Sequence, residues 1–265
     1  MSPLTPVLHL VGSGAAAYLM ASRIRDAKTR PDLLAGFQLA ESGAVPFLTT
    51  LRDRAEAEGD EWLAEKLTIH ANDERRHGQI FANALKQIGK EVIDFKSQAE
   101  AKLEGGKSRE SKDASKQRSP FLDSFYRGYS REDLKPERIE WPVFFASTHI
   151  LEADACKDFH NMAQALRDLP EMDRVRAGIE SVAKDEARHA AYLKEAMVRR
   201  YGYATTVALI DEWRSRKVDA LMAMVGNFIQ KGDDTRKLAK DRSPEQAPQS
   251  EEQSKERILV QDQAA

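Results

Sequence analysis

Apolar residues recur every three or four positions along several long stretches of the chain, and polar residues fill the positions between them. Such spacing is typical of amphipathic α-helices, whereas half-buried strands alternate apolar and polar positions. Convincing alternation is absent from the sequence. We therefore predict an all-α fold.

Local signals set the predicted bounds of the helices. Proline suits the first turn of a helix, so Arg30-Pro31-Asp32 predicts a start, and Gly89 predicts an end. Further breaks are expected at Leu169-Pro170 and at Gly202. The predicted helices cover about residues 30–54, 61–90, 138–168, 170–201 and 203–231.

These helices divide the chain into three predicted parts. Residues 1–30 form an N-terminal helical extension, and residues 31–231 form a four-helix bundle with a fifth helix at about 203–231. Between the second and third helices, residues 96–137 are polar and rich in charge, which predicts a long crossover. Residues 232–265 are polar and contain proline, so we predict a disordered tail.

The charge balance and the single cysteine limit the classes of function. A net charge of −2 and a pI near 6.3 give no general attraction to nucleic acid or to an anionic membrane. Cys156 alone excludes an internal disulfide and a zinc site built from several cysteines. The apolar segment 6–21 is too short for a transmembrane span. We expect a soluble, cytoplasmic protein that binds neither membranes nor nucleic acids.

One short motif occurs twice in the chain. The segments 73–77 and 185–189 share the pattern Asp-Glu-x-Arg-His. A glutamate precedes each copy at almost the same distance, Glu41 before the first and Glu152 before the second. We therefore predict two helix pairs, each carrying Glu and then Glu-x-x-His, joined by the crossover.

The repeated glutamates and histidines lie on the apolar faces of their predicted helices. Glu74 and His77 continue the spacing of Leu67, and the second copy repeats this arrangement. Buried carboxylates that face one another are unfavourable without positive charge. Two divalent cations supply it, and carboxylate with imidazole ligands suits iron or manganese, with zinc also open. The predicted metal ligands are Glu41, Glu74, His77, Glu152, Glu186 and His189.

Other interpretations of the motif stay open. A single Glu-x-x-His arises readily by chance in a charged helical chain, although two matched copies do not. A buried salt-bridge network needs arginines on the inner faces, whereas Arg76 and Arg188 fall beside them. Asp73 and Asp185 either accept the outer N–H of the histidine ligands and fix their tautomer, or are solvated helical aspartates.

At these residues the sequence resembles the ferritin-like di-iron carboxylate superfamily. Residues 74–78 and 185–192 are similar to motifs of soluble acyl-carrier-protein desaturases. The oxidative cyclase of chlorophyll synthesis, ribonucleotide reductase radical subunits and rubrerythrins share the broader pattern. The resemblance covers about residues 31–200 and implies two iron ions, with manganese or a mixed pair also open, that react with O₂ or peroxide.

The resemblance leaves three functions open. We favour an oxidase or oxygenase that activates O₂ and oxidises an unknown small-molecule or carrier-bound substrate, with electrons from a ferredoxin or a reductase. The second function is a rubrerythrin-like peroxide reductase or a ferroxidase. The third is an interaction scaffold with a structural metal pair.

Several further residues have both a structural and a functional interpretation. His70 lies one turn before Glu74 and could join the site, but we expect a core histidine bonded to a backbone carbonyl. We interpret His149 in the same way, and Cys156 and Tyr192 as packed side chains. None of them is assigned a catalytic role.

Three segments indicate other partners less strongly. Residues 11–17 imitate a dinucleotide-binding loop, but no second strand follows, so we predict a helix packed on the bundle. Aromatic and basic residues between 121 and 131 could contact RNA, although we expect a lid or a short packed helix there. The apolar stripe around Trp213 and Leu221 caps the bundle or forms a homodimer interface.

Overall fold

The computed structural model describes residues 4–93, 119–231 and 237–242. Across these residues the fold is helical, and an isolated antiparallel bridge between Lys90 and Asp241 is the one β-type pairing. The predicted all-α class is therefore confirmed for the described part of the chain. The predictions for residues 96–118 of the crossover and for 232–236 and 243–265 of the tail lie outside it.

The helices follow the predicted order. They are α1 (Leu4–Arg25), α2 (Arg30–Ala57), α3 (Glu61–Gln87), α4 (Pro120–Phe125), α5 (Trp141–Ala165) and α6 (Asp173–Lys231), with a 3₁₀ turn at Pro170–Met172. Gly202, with φ 77° and ψ 168°, interrupts α6, so residues 173–201 and 203–231 form its first and second parts. Only glycine adopts such a conformation without strain, which explains why the break falls there.

Side chains at the helix starts account for several of these bounds. The Asp60 carboxylate accepts a hydrogen bond from the Leu63 N–H at 2.9 Å and caps α3. Ser119 caps α4 through the Leu122 N–H at 3.2 Å. Each cap satisfies a backbone donor that the first helical turn leaves without an intrahelical partner.

The helices pack as two pairs. α2 lies along α3, α5 lies along α6, and α3 contacts α6 between the pairs. Residues 58–60 join α2 to α3, and so short a connection makes these helices antiparallel neighbours. α1 lies across α5 and α6 and touches α2. The packing thus turns one face of each of four long helices toward a common interior.

Two apolar clusters fill this interior at different levels. One contains Leu67 of α3 and Leu193 of α6, and the other contains Phe81 of α3 and Val182 of α6. The repeated motifs lie between these levels on both helices. Apolar packing on both sides therefore encloses four polar side chains of the motifs, Glu74, His77, Glu186 and His189.

The described part of the crossover is packed rather than loose. Phe125 of α4 is fully buried and meets the Trp213 ring edge-on at 5.1 Å between centroids. α4 as a whole contacts α6. The expectation of a short packed helix is confirmed for residues 120–125.

One stretch of the C-terminal segment differs from the predicted disorder. The Asp32 carboxylate accepts hydrogen bonds from the backbone N–H groups of Leu238 and Ala239, at 2.6 and 2.8 Å. The Arg242 N–H donates to the Gly89 carbonyl at 3.1 Å. The prediction of a disordered tail is wrong for residues 237–242, because Leu238 and Ala239 pack against a buried cluster and the Asp32 carboxylate and the Gly89 carbonyl hold the backbone.

Helix α1 packs by one face only. Ala17 and Ile24 are buried, whereas Leu10 and Tyr18 are 72% and 77% exposed. By length and composition alone, Val7–Arg25 could cross a membrane, so the expectation that this segment is too short is wrong. Core helices of soluble proteins and signal sequences meet the same criterion, so length and composition do not place the protein in a compartment. The imitation of a dinucleotide-binding loop lies inside this helix.

Candidate metal centre

The structure brings all six predicted ligands into one interior cluster. Each of the four long helices contributes, and the residues are Glu41 from α2, Glu74 and His77 from α3, Glu152 from α5, and Glu186 and His189 from α6. Side chains three apart on a helix project side by side, so each Glu-x-x-His pair enters the cluster together.

The two histidines face the carboxylates in matching ways. The Nδ1 atom of His77 lies 3.4 Å from Glu186, 3.6 Å from Glu41 and 3.8 Å from Glu74. The Nδ1 atom of His189 lies 3.5 Å from Glu186, 3.7 Å from Glu74 and 4.0 Å from Glu152. Glu74 and Glu186 therefore border both histidines, in the position of carboxylates that can bridge two ions.

Neither Nδ1 atom has a hydrogen-bond partner, although both are buried. A buried polar atom without a partner is costly, and such atoms are uncommon in folded proteins. Here each lone pair points at carboxylate oxygens, which repel it unless a cation lies between them. The donor atoms fit a metal ion, which would accept the Nδ1 lone pair and the carboxylate charge together.

The outer nitrogens of the two histidines are held by aspartates. The Nε2 atom of His77 lies 3.2 Å from Asp185, and that of His189 lies 3.2 Å from Asp73. The pairing is crossed, because each aspartate belongs to the motif copy on the opposite helix. A proton on Nε2 leaves Nδ1 free as an acceptor on the cluster side.

Two arginines complete this outer layer. Arg76 bonds both Asp73 and Asp185, and Arg188 bonds the same two aspartates. Burial opposes ionisation of Asp73, but its bonds to His189 and to the arginines lower its pKa to about 2. Asp73 thus remains charged, and both aspartates orient the histidines from the side that faces the arginines.

The inner carboxyls have the opposite electrostatic behaviour. Burial raises the pKa of Glu41 to about 8, that of Glu74 to about 7 and that of Glu186 to about 8. Burial and the neighbouring Glu186 also raise the pKa of Glu152 well above its usual value. Bound cations would favour the ionised form of these four carboxyls and offset the cost of burying their charge.

His70 belongs to this cluster, which the sequence prediction missed. Its Nε2 atom lies 3.1 Å from Glu74 and 3.6 Å from Glu152, and its ring stacks on His189 with centroids 3.8 Å apart. Its Nδ1 atom bonds the Tyr192 hydroxyl at 2.8 Å, so the expected backbone carbonyl partner is wrong. The sequence feature that could have assigned His70 to the cluster is its position on the same helical stripe, one turn before Glu74.

Two groups of four residues could each hold an ion. In each group the ligand atoms lie within 4.8 Å of one another, and the groups are Glu41, Glu74, His77 and Glu186, and His70, Glu74, Glu152 and His189. Glu74 belongs to both groups. The second position has two imidazoles where the first has one, so the two positions differ in chemistry despite the internal repeat.

The remaining candidates lie outside the cluster. His149 bonds the Ala190 carbonyl through Nδ1 at 2.8 Å, which is the arrangement expected of a core histidine. Cys156 is a half-buried free thiol whose pKa is raised by burial. Tyr192 is buried and reaches the cluster only through His70.

A largely apolar cavity of about 580 Å³ adjoins the cluster. Its walls include the ligands Glu41, Glu152 and Glu186. Elsewhere they are mainly apolar, and they include Phe37, Ala44, Phe47, Phe144, Phe159 and Met162. The volume lies within the range of small-molecule sites.

Comparison with protein-family models, with curated proteins and with solved structures finds no match to this chain. The resemblance to ferritin-like proteins therefore stays a prediction from the motif residues. What the fold and the cluster establish is a helical protein with buried Glu and His groups that could hold a metal ion.

Proposed function

We propose that this chain is a ferritin-like di-iron carboxylate protein that uses O₂ to oxidise or oxygenate an apolar organic substrate. The fold part of the proposal is supported by two helix pairs that each carry Glu and Glu-x-x-His. The metal part is supported by the partnerless Nδ1 atoms of His77 and His189. Iron fits carboxylate and imidazole ligands, as does manganese.

The observation that carries the reaction class is the apolar cavity beside the ligands. A peroxide reductase or a ferroxidase handles small polar reactants and has no use for an apolar space of about 580 Å³. An oxygenase needs a place where a C–H bond lies against the metal pair without bulk water. The cavity therefore favours the oxygenase over the peroxide reductase and the ferroxidase.

Bound reduced iron would supply electrons to dioxygen at this site. Insertion of one oxygen atom of O₂ into a C–H bond takes two electrons from that bond and, in total, two electrons from a donor together with two protons, and it releases the other oxygen atom as water. The proposal assigns the supply of these electrons to a separate ferredoxin or reductase.

The chain's own residues position ligands and hold protons. Asp73 and Asp185 keep protons on the outer nitrogens of the histidines. Tyr192 bonds the Nδ1 atom of His70 at 2.8 Å, so it can hold a proton on the ring nitrogen that faces away from the carboxylates. The aromatic walls make the cavity side of the site largely apolar, which strengthens electrostatic interactions there.

A matched pair of variants tests the proposal. Glu186→Gln removes one charge from the cluster without changing side-chain size, whereas Glu195→Gln alters an exposed glutamate on the same helix that pairs with Arg199. We expect wild type and Glu195→Gln to bind two iron ions per chain and to consume O₂ after anaerobic reduction. Glu186→Gln should bind less iron and lose most of the O₂ consumption.

Metal analysis by mass spectrometry and an oxygen electrode give both readouts. Stoichiometric metal without any reaction with O₂ would contradict the oxygenase and favour a structural metal pair. Fast peroxide consumption with no oxidised organic product would favour the peroxide reductase instead. Failure to bind iron or manganese would overturn the metal centre itself.

A further inference from the structure

The apolar cavity also has a polar wall that the metal centre does not use. Ser13 of α1, Asp158 of α5 and Lys217 of α6 line it together with apolar residues. Asp158 lies less than two turns beyond Glu152 on α5, which corresponds to about 9 Å along the axis. A molecule in the cavity can therefore reach the ligands at one point and these polar groups at another.

Lys217 is held on this wall by a buried carboxylate. Its Nζ donates to Asp154 at 2.6 Å, and the residue is only 7% exposed. Asp154 also accepts from Ser13 at 2.8 Å and lies 3.1 Å from His9 and 3.3 Å from Lys157. Burial opposes ionisation of Asp154, but these partners hold its pKa well below the usual range.

Hydrogen-bonding capacity remains on both polar side chains of the wall. An ammonium group has three N–H donors, and within the described residues Lys217 uses one, on Asp154. Asp158 accepts no hydrogen bond from the described part of the chain, although the charge of Lys217 acts on it. The wall thus offers donors from Lys217 and acceptors from Asp158 to a molecule in the cavity.

The charges on this wall decide which head group fits. Lys217 places a positive charge and Asp158 a negative charge on the cavity wall, whereas Lys157 does not line the cavity and 66% of its side chain is exposed. A substrate carboxylate would add a negative charge beside Asp158, and an ammonium group would meet Lys217. A neutral group that both accepts and donates avoids both repulsions and satisfies both residues.

We propose that the cavity binds an amphiphile whose apolar chain lies against the metal centre and whose neutral hydroxyl-type head bonds Lys217 and Asp158. This assignment of the substrate class rests on the proposed function. Asp154 acts as a positioning residue, because it holds Lys217 and does not line the cavity.

Binding of a set of probes with one chain length tests the head group. The probes are dodecan-1-ol, its methyl ether, dodecanoate and dodecylamine, measured by equilibrium dialysis with full-length protein, both metal-free and loaded with zinc. Zinc does not react with O₂, so binding is scored separately from any oxygen chemistry. We expect the alcohol to bind about tenfold more tightly than each of the others, as one extra hydrogen bond allows.

Two variants separate the donor from the acceptor. Asp158→Ala should weaken alcohol binding to the level of the ether and leave ether binding unchanged, because the ether cannot donate. Lys217→Met should weaken both by about tenfold. Lys157→Met is the control, because Lys157 also contacts Asp154 but does not line the cavity, and it should bind all probes as wild type does.

Several results would overturn the proposal. Tighter binding of dodecanoate or dodecylamine would show a charged head group, and equal binding of alcohol and ether would remove the role of Asp158. Lys217→Met could fail to fold because Asp154 loses its partner. In that case the binding of alcohol and ether to Asp158→Ala still tests the proposed head group. A protein that binds the alcohol as described but does not react with O₂ would keep the pocket assignment and lose the oxygenase.

Discussion

At the scale of single residues, the metal centre is built from pairs of side chains that constrain each other. His77 and His189 present Nδ1 to the carboxylates only because Asp185 and Asp73 hold the opposite ring nitrogen. Aspartates that accept an N–H from a ligand histidine fix its tautomer and raise its basicity. Metal affinity is therefore expected to depend on residues that never touch the ion.

Asp185→Asn tests this dependence. The amide oxygen still accepts a hydrogen bond, but it lacks the charge that makes His77 more basic, so we expect affinity for divalent metal to fall about tenfold to a hundredfold. Competition against a chromophoric chelator measures this change. Asp173→Asn, at an exposed ion pair with Arg176 on the same helix, is the control. Equal affinities of the two variants would rule out the role given to Asp185.

The raised pKa values of the inner carboxyls predict how pH acts on the metal-free protein. Burial raises the pKa of Glu41 and that of Glu186 from 4.5 to about 8. Between these values the folded form holds protons that the unfolded chain has released, so stability falls as pH rises. We expect the Tm of metal-free protein to decrease from pH 5 to pH 8 by this contribution.

Bound metal should cancel this decrease, because the carboxylates are then ionised and paired. Scanning calorimetry with and without zinc at both pH values measures the difference. Glu186→Gln, which lacks one titrating group, should show a shallower decrease in the metal-free form. The lowered pKa values of His70 and His77 act in the opposite direction in both proteins, so the comparison with Glu186→Gln isolates the carboxyl contribution. Equal pH dependence of wild type and Glu186→Gln would contradict the expectation.

The sequence predicted which residues form the cluster better than it predicted their partners. Six residues stood out because two copies of one motif lay on apolar stripes, and the structure brings them together. His70 occurs once and has no repeated counterpart, so its stripe position alone did not distinguish it from a core histidine. The crossed bonds of Asp73 and Asp185 depend on how α3 faces α6, which spacing along one helix does not reveal.

At the scale of helices, close contacts between α3 and α6 fix how the two motif copies face each other. Gly178 of α6 lies against Ile80 of α3, where an added Cβ would come within 2.7 Å of the Ile80 side chain. Proline and glycine mark helix starts and breaks locally, so the sequence predicted these bounds. They are the starts at Arg30 and Glu61 and the breaks before Asp173 and at Gly202. No local residue pattern predicts how closely two helices that are distant in sequence pack against each other.

Gly178→Ala is expected to disturb this contact. The methyl group would force Ile80 or the helix to move, which costs about 1–3 kcal/mol of unfolding free energy. Gly43→Ala is the control, since this exposed helical glycine has open space around it, and alanine there should stabilise by up to about 1 kcal/mol. Urea unfolding measures both. A neutral or stabilising Gly178→Ala would show that the contact is not tight in solution.

At the scale of the whole molecule, segments far apart in sequence enclose the site. α1 and the second part of α6 supply one wall of the cavity, and the segment 237–242 covers the start of α2. The function that we favour from the sequence implies a cavity beside the metal ions, but the sequence predicted neither the residues that line it nor this docked segment. Both arise from contacts between residues separated by most of the chain, and the polar composition of the tail concealed the few residues that dock.

Asp32→Ala tests the docking of that segment. Loss of the carboxylate removes the acceptor for the Leu238 and Ala239 N–H groups, so their amide hydrogens should exchange at least tenfold faster. Hydrogen exchange read by mass spectrometry reports this directly. Asp26→Ala, which removes a nearby bond to the Lys28 N–H, should leave exchange at 238–239 unchanged. Unaltered exchange in Asp32→Ala would contradict the observed docking.

The crossed aspartates have a consequence for the order in which ions enter. Because Glu74 belongs to both positions, and each motif histidine depends on an aspartate of the other helix, neither position is complete within one motif copy. The first ion to bind would draw α3 and α6 into the geometry that the second requires, so the second would bind without repeating that ordering cost. Titration should accordingly yield a sigmoidal isotherm with few singly loaded chains, the behaviour of one cooperative unit made from a duplicated sequence.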